Sequence, residues 1–436
     1  MPPFSLPSFL SSRPKLSLSL SSFLSLLRAN SPSRSLPRPV LCLGLLEVLK
    51  LLLSSERRAS GRELLLLVEA VGGEVALIST DAALTNVVGR VMKSVRDEVE
   101  AAYAAAAAGA AADQRGGEGD GASNPPALAR QPSLTSTLFP PPPPGSPELL
   151  YAAAETERLR SLSLGEAALE PEEGTAAEEG TAASSGSERR SQILPLPPHY
   201  SSTRPALSDL MESISEIHND ISTSHTALDD VAHLHLADQD TVLTYGESRT
   251  LTSFLRAASK KRSFQVLHAP VPGVYAGSPP SPSPHVSSLL AAGVPVTAIP
   301  ASNVPPAASQ SSVLLLSAHL VLANGGILAP AGSLLAATAA VSSRRPVVVV
   351  ADLSYKLTRR YPHGGQDTLN SLLSPSPLLP PDFDPPKCLE AVRPARDYVP
   401  PEMLELLVTN LGTWKPSYVY RLLQDSFCEQ DPAEFA

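Results

Sequence analysis

The sequence predicts an α/β chain: an N-terminal helical domain and a C-terminal domain built on a parallel sheet, separated by a disordered linker. Three observations predict it. Apolar residues recur at helical spacing over residues 41–103 and again from Leu207 to Leu228. From Thr241 onward, short and nearly unbroken apolar runs alternate with helical segments, as parallel strands covered on both faces do. Between these regions, residues 104–205 run through an Ala tract, a Pro run (Pro140–Pro144) and an acidic stretch (Glu166–Glu179). They hold too few apolar residues to offset the entropy of ordering.

The elements follow in order. Residues 1–40 are rich in Ser, Leu, Pro and Arg and contain no acid; the first is Glu47. An acid-poor, Arg/Ser-rich start resembles a mitochondrial transit peptide. Pro at positions 2, 3, 7 and 14 argues against the amphipathic helix such a peptide needs, so a disordered segment is expected. Over 41–103, Leu45, Leu46, Leu49 and Leu53 mark one helix and Leu64, Leu67, Val68 and Val71 a second. Asp81 can cap a third, carrying Leu84, Val87, Val88, Val91, Met92 and Val95. The C-terminal domain, 206–428, opens with a helix through Leu210, Ile214, Ile217 and Ile221. Strands are expected at Thr241–Tyr245, Ser263–Ala269, Val294–Ile299, Val313–Leu316 and Val347–Asp352. Helices are expected at Ser248–Lys260, His285–Ala292, Gly332–Val341, Pro400–Val408 and Ser417–Leu423.

Bulk properties exclude several classes. The 436 residues carry 45 Pro and a net charge of −9, with only short basic clusters such as Lys260–Arg262, so no nucleic-acid partner is expected. Three distant cysteines, Cys42, Cys388 and Cys428, give no disulfide framework or metal spacing and suit a reducing compartment, the cytoplasm. No apolar run approaches the ~20 residues of a membrane span. His218, His225, His233 and His235 crowd one region, but no Cys accompanies them and their spacing does not suit a zinc site. No metal and no cofactor is expected.

Chemistry in an open parallel sheet belongs at strand ends. The first such end is Tyr245-Gly246-Glu247-Ser248-Arg249-Thr250. Gly246 permits a tight turn, and Ser248 or Thr250 can cap the next helix, whose amides favour anions; a capped helix without a ligand reads the same way. The second is Asn324-Gly325-Gly326, whose glycines allow close backbone approach or simply a packing turn. The third is Asp352, a possible base or a cap for the turn at Leu353-Ser354. No GxSxG, HExxH or P-loop spacing is present.

Taken in order, these motifs carry a resemblance. Val242-Leu-Thr-Tyr-Gly-Glu-Ser-Arg-Thr250, Ala291-Ala-Gly-Val-Pro-Val296, His319-Leu-Val-Leu-Ala-Asn-Gly-Gly326, Arg345-Pro-Val-Val-Val-Val-Ala351, Asp397-Tyr-Val-Pro-Pro-Glu402 and Pro416-Ser-Tyr-Val-Tyr-Arg-Leu422 resemble the regulatory subunits of translation initiation factor 2B. The C-terminal signatures take the form of its beta members. Val88–Glu98 is similar to the family's N-terminal helical domain. The resemblance covers about 41–103 and 205–428. It implies a Rossmann-like C-terminal domain and a non-catalytic subunit of the guanine nucleotide exchange complex for initiation factor 2. Its implied partners are the other subunits of that complex, delta most directly and also alpha, gamma and epsilon, and the alpha subunit of initiation factor 2, whose phosphorylation the complex senses.

Sugar-phosphate isomerases of the same fold are the alternative. They carry a catalytic Cys at one strand end and an Asp at a later one. Tyr245-Gly246 and Pro300-Ala-Ser-Asn303 offer neither, so no proton shuttle for aldose–ketose isomerisation is expected. For the interface, Trp414 and Tyr418 are candidate anchors, or equally residues packed within the domain. Arg90, Lys93 and Arg96 on the third helix are candidates for phosphoserine recognition, or equally a solvated helix face.

Overall fold

The computed structural model describes residues 6, 13–29, 36–56, 58–79, 81–115, 196–272, 283–362, 370–375, 379 and 389–428. Most of the expected linker, and Cys388, lie outside the described residues.

Among the described residues, six α-helices form or lead into the helical layer. α1 (Pro14–Ala29) forms where a disordered segment was expected. The prolines at 2, 3, 7 and 14 lie before the helix or at its first position, where the missing N–H is no loss. Leu20, Phe23 and Leu27 bury on one face, against α2 (Arg38–Ser54). α3 (Gly61–Ile78) starts with a reciprocal cap: Glu63 N donates to Ser60 Oγ (3.4 Å) and Ser60 N to Glu63 Oε2 (2.8 Å). α4 (Ala82–Arg115) packs so closely on α3 that a Cβ at Gly61 would lie 2.3 Å from Val99 Cγ2. After the one-turn helix α5 (His199–Ser202) comes α6 (Leu207–Val231). Its Leu210, Ile214, Ile217 and Ile221 join the core of α2–α4, whereas Leu228, near its other end, joins the core on one face of the sheet. The helix expected to open the C-terminal domain therefore serves both layers.

The main sheet holds β1 (Asp240–Tyr245), β2 (Phe264–Ala269), β3 (Val296–Ala298), β4 (Val313–Ser317), β7 (Val347–Ala351), β9 (Leu406–Thr409) and β10 (Gly412–Trp414). Its order is β10-β9-β7-β4-β1-β2-β3, parallel except for the β9–β10 hairpin. Such an α/β sheet needs apolar residues on both faces, and β7 is buried at all five positions. One face (Leu243, Leu314, Leu316, Val349, Leu407) packs on α9 (Val304–Gln310), α10 (Ser333–Ser342) and α12 (Val419–Ser426). The other (Val242, Val266, Leu315, Val348, Val350) packs on Leu228, on Phe254 and Leu255 of α7 (Arg249–Ala258), and on Leu289 of α8 (Pro284–Ala291). A second, three-stranded antiparallel sheet has order β5-β6-β8, from β5 (Leu320–Val321), β6 (Ile327–Pro330) and β8 (Arg396–Val399).

One element differs in type from its sequence reading. The helix expected over Pro400–Val408 is a 3-10 turn at Pro401–Met403 followed by strand β9. The residues after it decide this: Asn410-Leu411 closes a tight hairpin that pairs Thr413 with Val408, and that pairing extends the sheet beside β7.

Candidate functional site

Strand order reverses between β1 and β4, so the crevice of this fold opens at their C-terminal ends. β1 delivers Tyr245 and Gly246 to it. Gly246 turns with φ 73°, its amide donating to Ala269 O at 2.9 Å. Tyr245 does not face solvent. Its hydroxyl donates to Ala331 O (3.0 Å), and burial, reinforced by nearby Asp397, raises its pKa. Beyond it, Gly332 precedes α10 with φ 99°; a Cβ there would sit 1.8 Å from Tyr245 Oη. The α10 amides that could bind an anion already have one: Asp397 Oδ2 accepts from Gly332 N (2.7 Å) and Leu334 N (3.3 Å). Ser248 caps α7 through Leu251 N at 3.5 Å, and Thr250 is buried in that helix's first turn.

Asn324-Gly325-Gly326 is the β5–β6 turn. Asn324 Oδ1 accepts from Gly326 N (3.0 Å) and its amide donates to Tyr398 Oη (2.6 Å). A Cβ at Gly325 (φ 83°) would meet Pro416 O at 2.3 Å, and one at Gly326 would meet Tyr398 Cε2 at 2.6 Å. The motif ties the β5–β6 hairpin to β8 and to the segment before α12.

Asp352, fully buried, caps the short helix α11 (Leu353–Lys356). Its Oδ1 accepts from Ser354 N (2.9 Å), and its Oδ2 accepts from Ser224 of α6. α11 is the seam between the two layers. Asn86 donates to Tyr355 O (3.0 Å), Arg90 donates to Ser354 O (2.9 Å) and to Asp220 (2.8 Å), and Lys93 donates to Gln424 O (3.0 Å) at the end of α12. Arg96 is buried. Of the three cations read from sequence as phosphoserine contacts or a solvated face, Arg96 is buried, and Arg90 and Lys93 are half-buried and bonded to neighbouring elements.

Sequence reasoning missed the charge collected under this seam. Arg38 donates to Asp81 (2.7 Å) and to His319 Nε2 (2.8 Å). Burial, with Arg38, Arg396 and Lys356 close by, pushes the His319 pKa well down. Burial lowers Lys356 from 10.5 to about 8, against the pull of Asp352, and lowers Arg396 to about 10. Burial also raises the thiol pKa of Cys42 and the phenol pKa of Tyr355. These residues come from five distant stretches, and no spacing links them.

Trp414 and Tyr418 stack with ring centres 4.6 Å apart and planes at 5°, both half-buried on the C-terminal core. The turn at residues 300–303 is a 3-10 helix of Ala301–Asn303 without an ionisable group. Of the crowded histidines, His235 pairs with Thr413 Oγ1 (3.0 Å) and His218 faces Glu47 (3.5 Å). Cys42 lies in the helical core and Cys428 follows α12, so neither thiol reaches a strand end. Among the described residues no helix is long and apolar enough to cross a membrane.

The chain is 34% identical over 239 residues to translation initiation factor eIF2B subunit beta of Dictyostelium discoideum, a match covering 54% of this chain and 59% of that protein. It is 32% identical over 229 residues to the beta subunit of Schizosaccharomyces pombe, covering 52% and 54%. It thus spans little more than half the length of these relatives. The solved structure of eIF2B beta from Chaetomium thermophilum superimposes with a TM-score of 0.60 over 98% of this chain and 97% of that one, at 19% identity. The tetrameric eIF2B-beta2-delta2 complex from C. thermophilum matches at 0.58 over 97% and 100%, at 18% identity. At such identities these structures speak for the fold alone. The sequence profile of the Initiation factor 2 subunit family matches residues 36–416, most of the chain, and the chain is a member of that family.

Proposed function

We propose that the chain is a non-catalytic subunit of the guanine nucleotide exchange complex for translation initiation factor 2, working in the cytoplasm through assembly rather than chemistry. The observation that carries this is the state of the crevice. Tyr245 bonds to Ala331 O within the fold, Asp352 after β7 and Asp397 in β8 both accept backbone amides, and no thiol of the described residues stands near. An isomerase of this fold needs an exposed acid–base or nucleophile pair there. The similarity to beta subunits supports a place beside delta, as in the beta–delta tetramer of C. thermophilum, with alpha, gamma and epsilon as further partners.

In this reading the complex has two states, exchange-competent and inhibited, and phosphorylation of the alpha subunit of initiation factor 2 biases them through differential binding. Within the chain Arg90 bonds to Ser354 O and Asp220, Lys93 bonds to Gln424 O, and Arg96 is buried; they remain the candidate contacts to a phosphoserine. The stacked Trp414–Tyr418 pair is the proposed anchor toward delta. Affinity purification of the tagged chain from its own cells, with mass spectrometry of what co-elutes, tests this. Recovery of the other initiation factor 2B subunits is expected. A solitary chain, or one that converts ribose 1,5-bisphosphate unaided, overturns it.

A further inference from the structure

The longest run of consecutive basic residues in the chain is Lys260-Lys-Arg262, and a serine, Ser263, follows it directly. These four residues lie between α7 and β2. Lys260, Lys261 and Ser263 are exposed. Ser263 Oγ has no hydrogen-bond partner among the described residues. A serine behind a basic run suits protein kinases with an acidic peptide groove, because the charges of enzyme and substrate are complementary.

The backbone of Ser263 belongs to a clamp. Ser263 N donates to Asp238 Oδ1 (3.0 Å), Arg262 Nη1 donates to Asp238 Oδ2 (2.9 Å), and Gln239 N donates to Ser263 O (2.6 Å). Gln239 is left-handed, with φ 67°, a conformation that costs energy for a residue with a side chain, so the turn holds the loop before β1 in a strained shape. The Ser263 amide and Arg262 keep the Asp238 carboxyl below its ordinary pKa, so it is charged at neutral pH. In the same loop His235 pairs with Thr413 Oγ1 (3.0 Å), which links the clamp to edge strand β10. The side chains of Arg262 and Asp238 are 39% and 56% exposed, so the clamp is weakly held and can open to admit an enzyme.

We propose that Ser263 is the acceptor for a basic-directed serine kinase, and that its phosphate opens the clamp between the loop before β1 and the turn before β2. In the transfer, Ser263 Oγ bonds to the γ-phosphorus of ATP as the bond to the departing ADP oxygen breaks, and the hydroxyl proton passes to the catalytic carboxylate of the kinase. The product carries a charge of about −1.5 to −2 at pH 7. It stands beside the Asp238 carboxylate, whose 3.0 Å donor is the amide of the same residue. Like charges repel there, and the phosphate offers Arg262 a stronger acceptor than Asp238. Asp238 then releases both donors, Gln239 relaxes from its left-handed form, and the loosening reaches β10 through His235. This device is independent of the subunit assignment.

The test incubates the full chain with ATP and the catalytic subunit of cAMP-dependent protein kinase, a basic-directed enzyme, and maps phosphate by mass spectrometry. Phosphate on Ser263 is expected, and none at that position in Ser263→Ala. The Lys260→Ala/Lys261→Ala double variant, which leaves the Arg262–Asp238 pair intact, should be phosphorylated there at least about 10-fold more slowly. Hydrogen exchange then reads the clamp. The amides of Gln239 and Ser263 should exchange about 10-fold faster in the phosphorylated chain, while those of β4 stay unchanged. In Asp238→Asn, which removes the repelling charge, phosphorylation should leave exchange at both amides unaltered. A wild-type chain that takes no phosphate on Ser263 overturns the proposal. So does phosphate there without faster exchange, or an equal acceleration in Asp238→Asn.

Discussion

The carboxylate of Asp397 accepts a 2.7 Å hydrogen bond from the backbone amide of Gly332, joining β8 to the start of α10 across 65 residues of chain. A side chain of the protein thus sits where this fold elsewhere admits an anion. Asp397→Ala would leave that amide and the one at Leu334 without their acceptor. A loss of about 1–3 kcal/mol is expected in urea unfolding, with Asp397→Asn recovering part of it. Unchanged stability in Asp397→Ala would show that the cap contributes nothing.

Gly332 itself allows no side chain. At φ 99°, with Tyr245 Oη 1.8 Å from where a Cβ would stand, Gly332→Ala combines backbone strain with a clash. A loss of at least about 2 kcal/mol is expected. Pairing it with Tyr245→Phe, which removes the clashing oxygen, should recover part of the loss in the double variant. Strict additivity of the two changes would mean that the clash is not the cause.

The seam between the layers gives a third prediction. Arg90 joins α4 to both α11 and α6, through Ser354 O and Asp220. Its side chain is partly exposed, so Arg90→Ala should cost only about 1–2 kcal/mol. Its signature is local: faster amide exchange in Leu353–Lys356 than in β7. Uniform acceleration across the sheet would instead place Arg90 in the global core.

Lys356 predicts a pH dependence. Burial lowers its pKa in the fold from 10.5 to about 8. Between these values the unfolded chain holds more protons than the folded one, so this group makes stability rise with pH from 8 to 10.5. Below pH 8 the fold bears the full cost of the buried charge. Lys356→Met should therefore stabilise the chain at pH 7 by up to about 3 kcal/mol, an advantage that shrinks as pH approaches 10.5. A constant difference between the two proteins over that range would rule out the titration.

Much of the fold was legible because parallel strands must be apolar on both faces: Val347–Ala351 and Val313–Ser317 can hardly be read otherwise. Helix α1 was obscured by its own composition. Serines and prolines outweighed the stripe of Leu20, Phe23 and Leu27 that packs it. Strand β9 was misread because Leu404–Thr409 suits either structure until the hairpin at Asn410-Leu411 is considered. For the site, Tyr245-Gly246 and Asn324-Gly325-Gly326 stood out as turns. What fills them, Asp397 and Tyr398, comes from far along the chain and follows from no local pattern. The bonds of Arg90 to α11 and α6 and the burial of Arg96 were hidden for the same reason: an amphipathic stripe identifies one buried face and is silent on a second.

The proposed anchor toward delta can be probed at Tyr418, stacked on Trp414. Tyr418→Asp should abolish recovery of a delta subunit in a pull-down while the circular dichroism of the chain is unchanged. Retention of delta by a folded variant would move the interface elsewhere.

The most direct measurement is the mass of the full chain in solution, by analytical ultracentrifugation, alone and co-expressed with a delta subunit of initiation factor 2B. A defined complex containing both chains in equal number is predicted. Two species sedimenting independently at micromolar concentration would contradict the account.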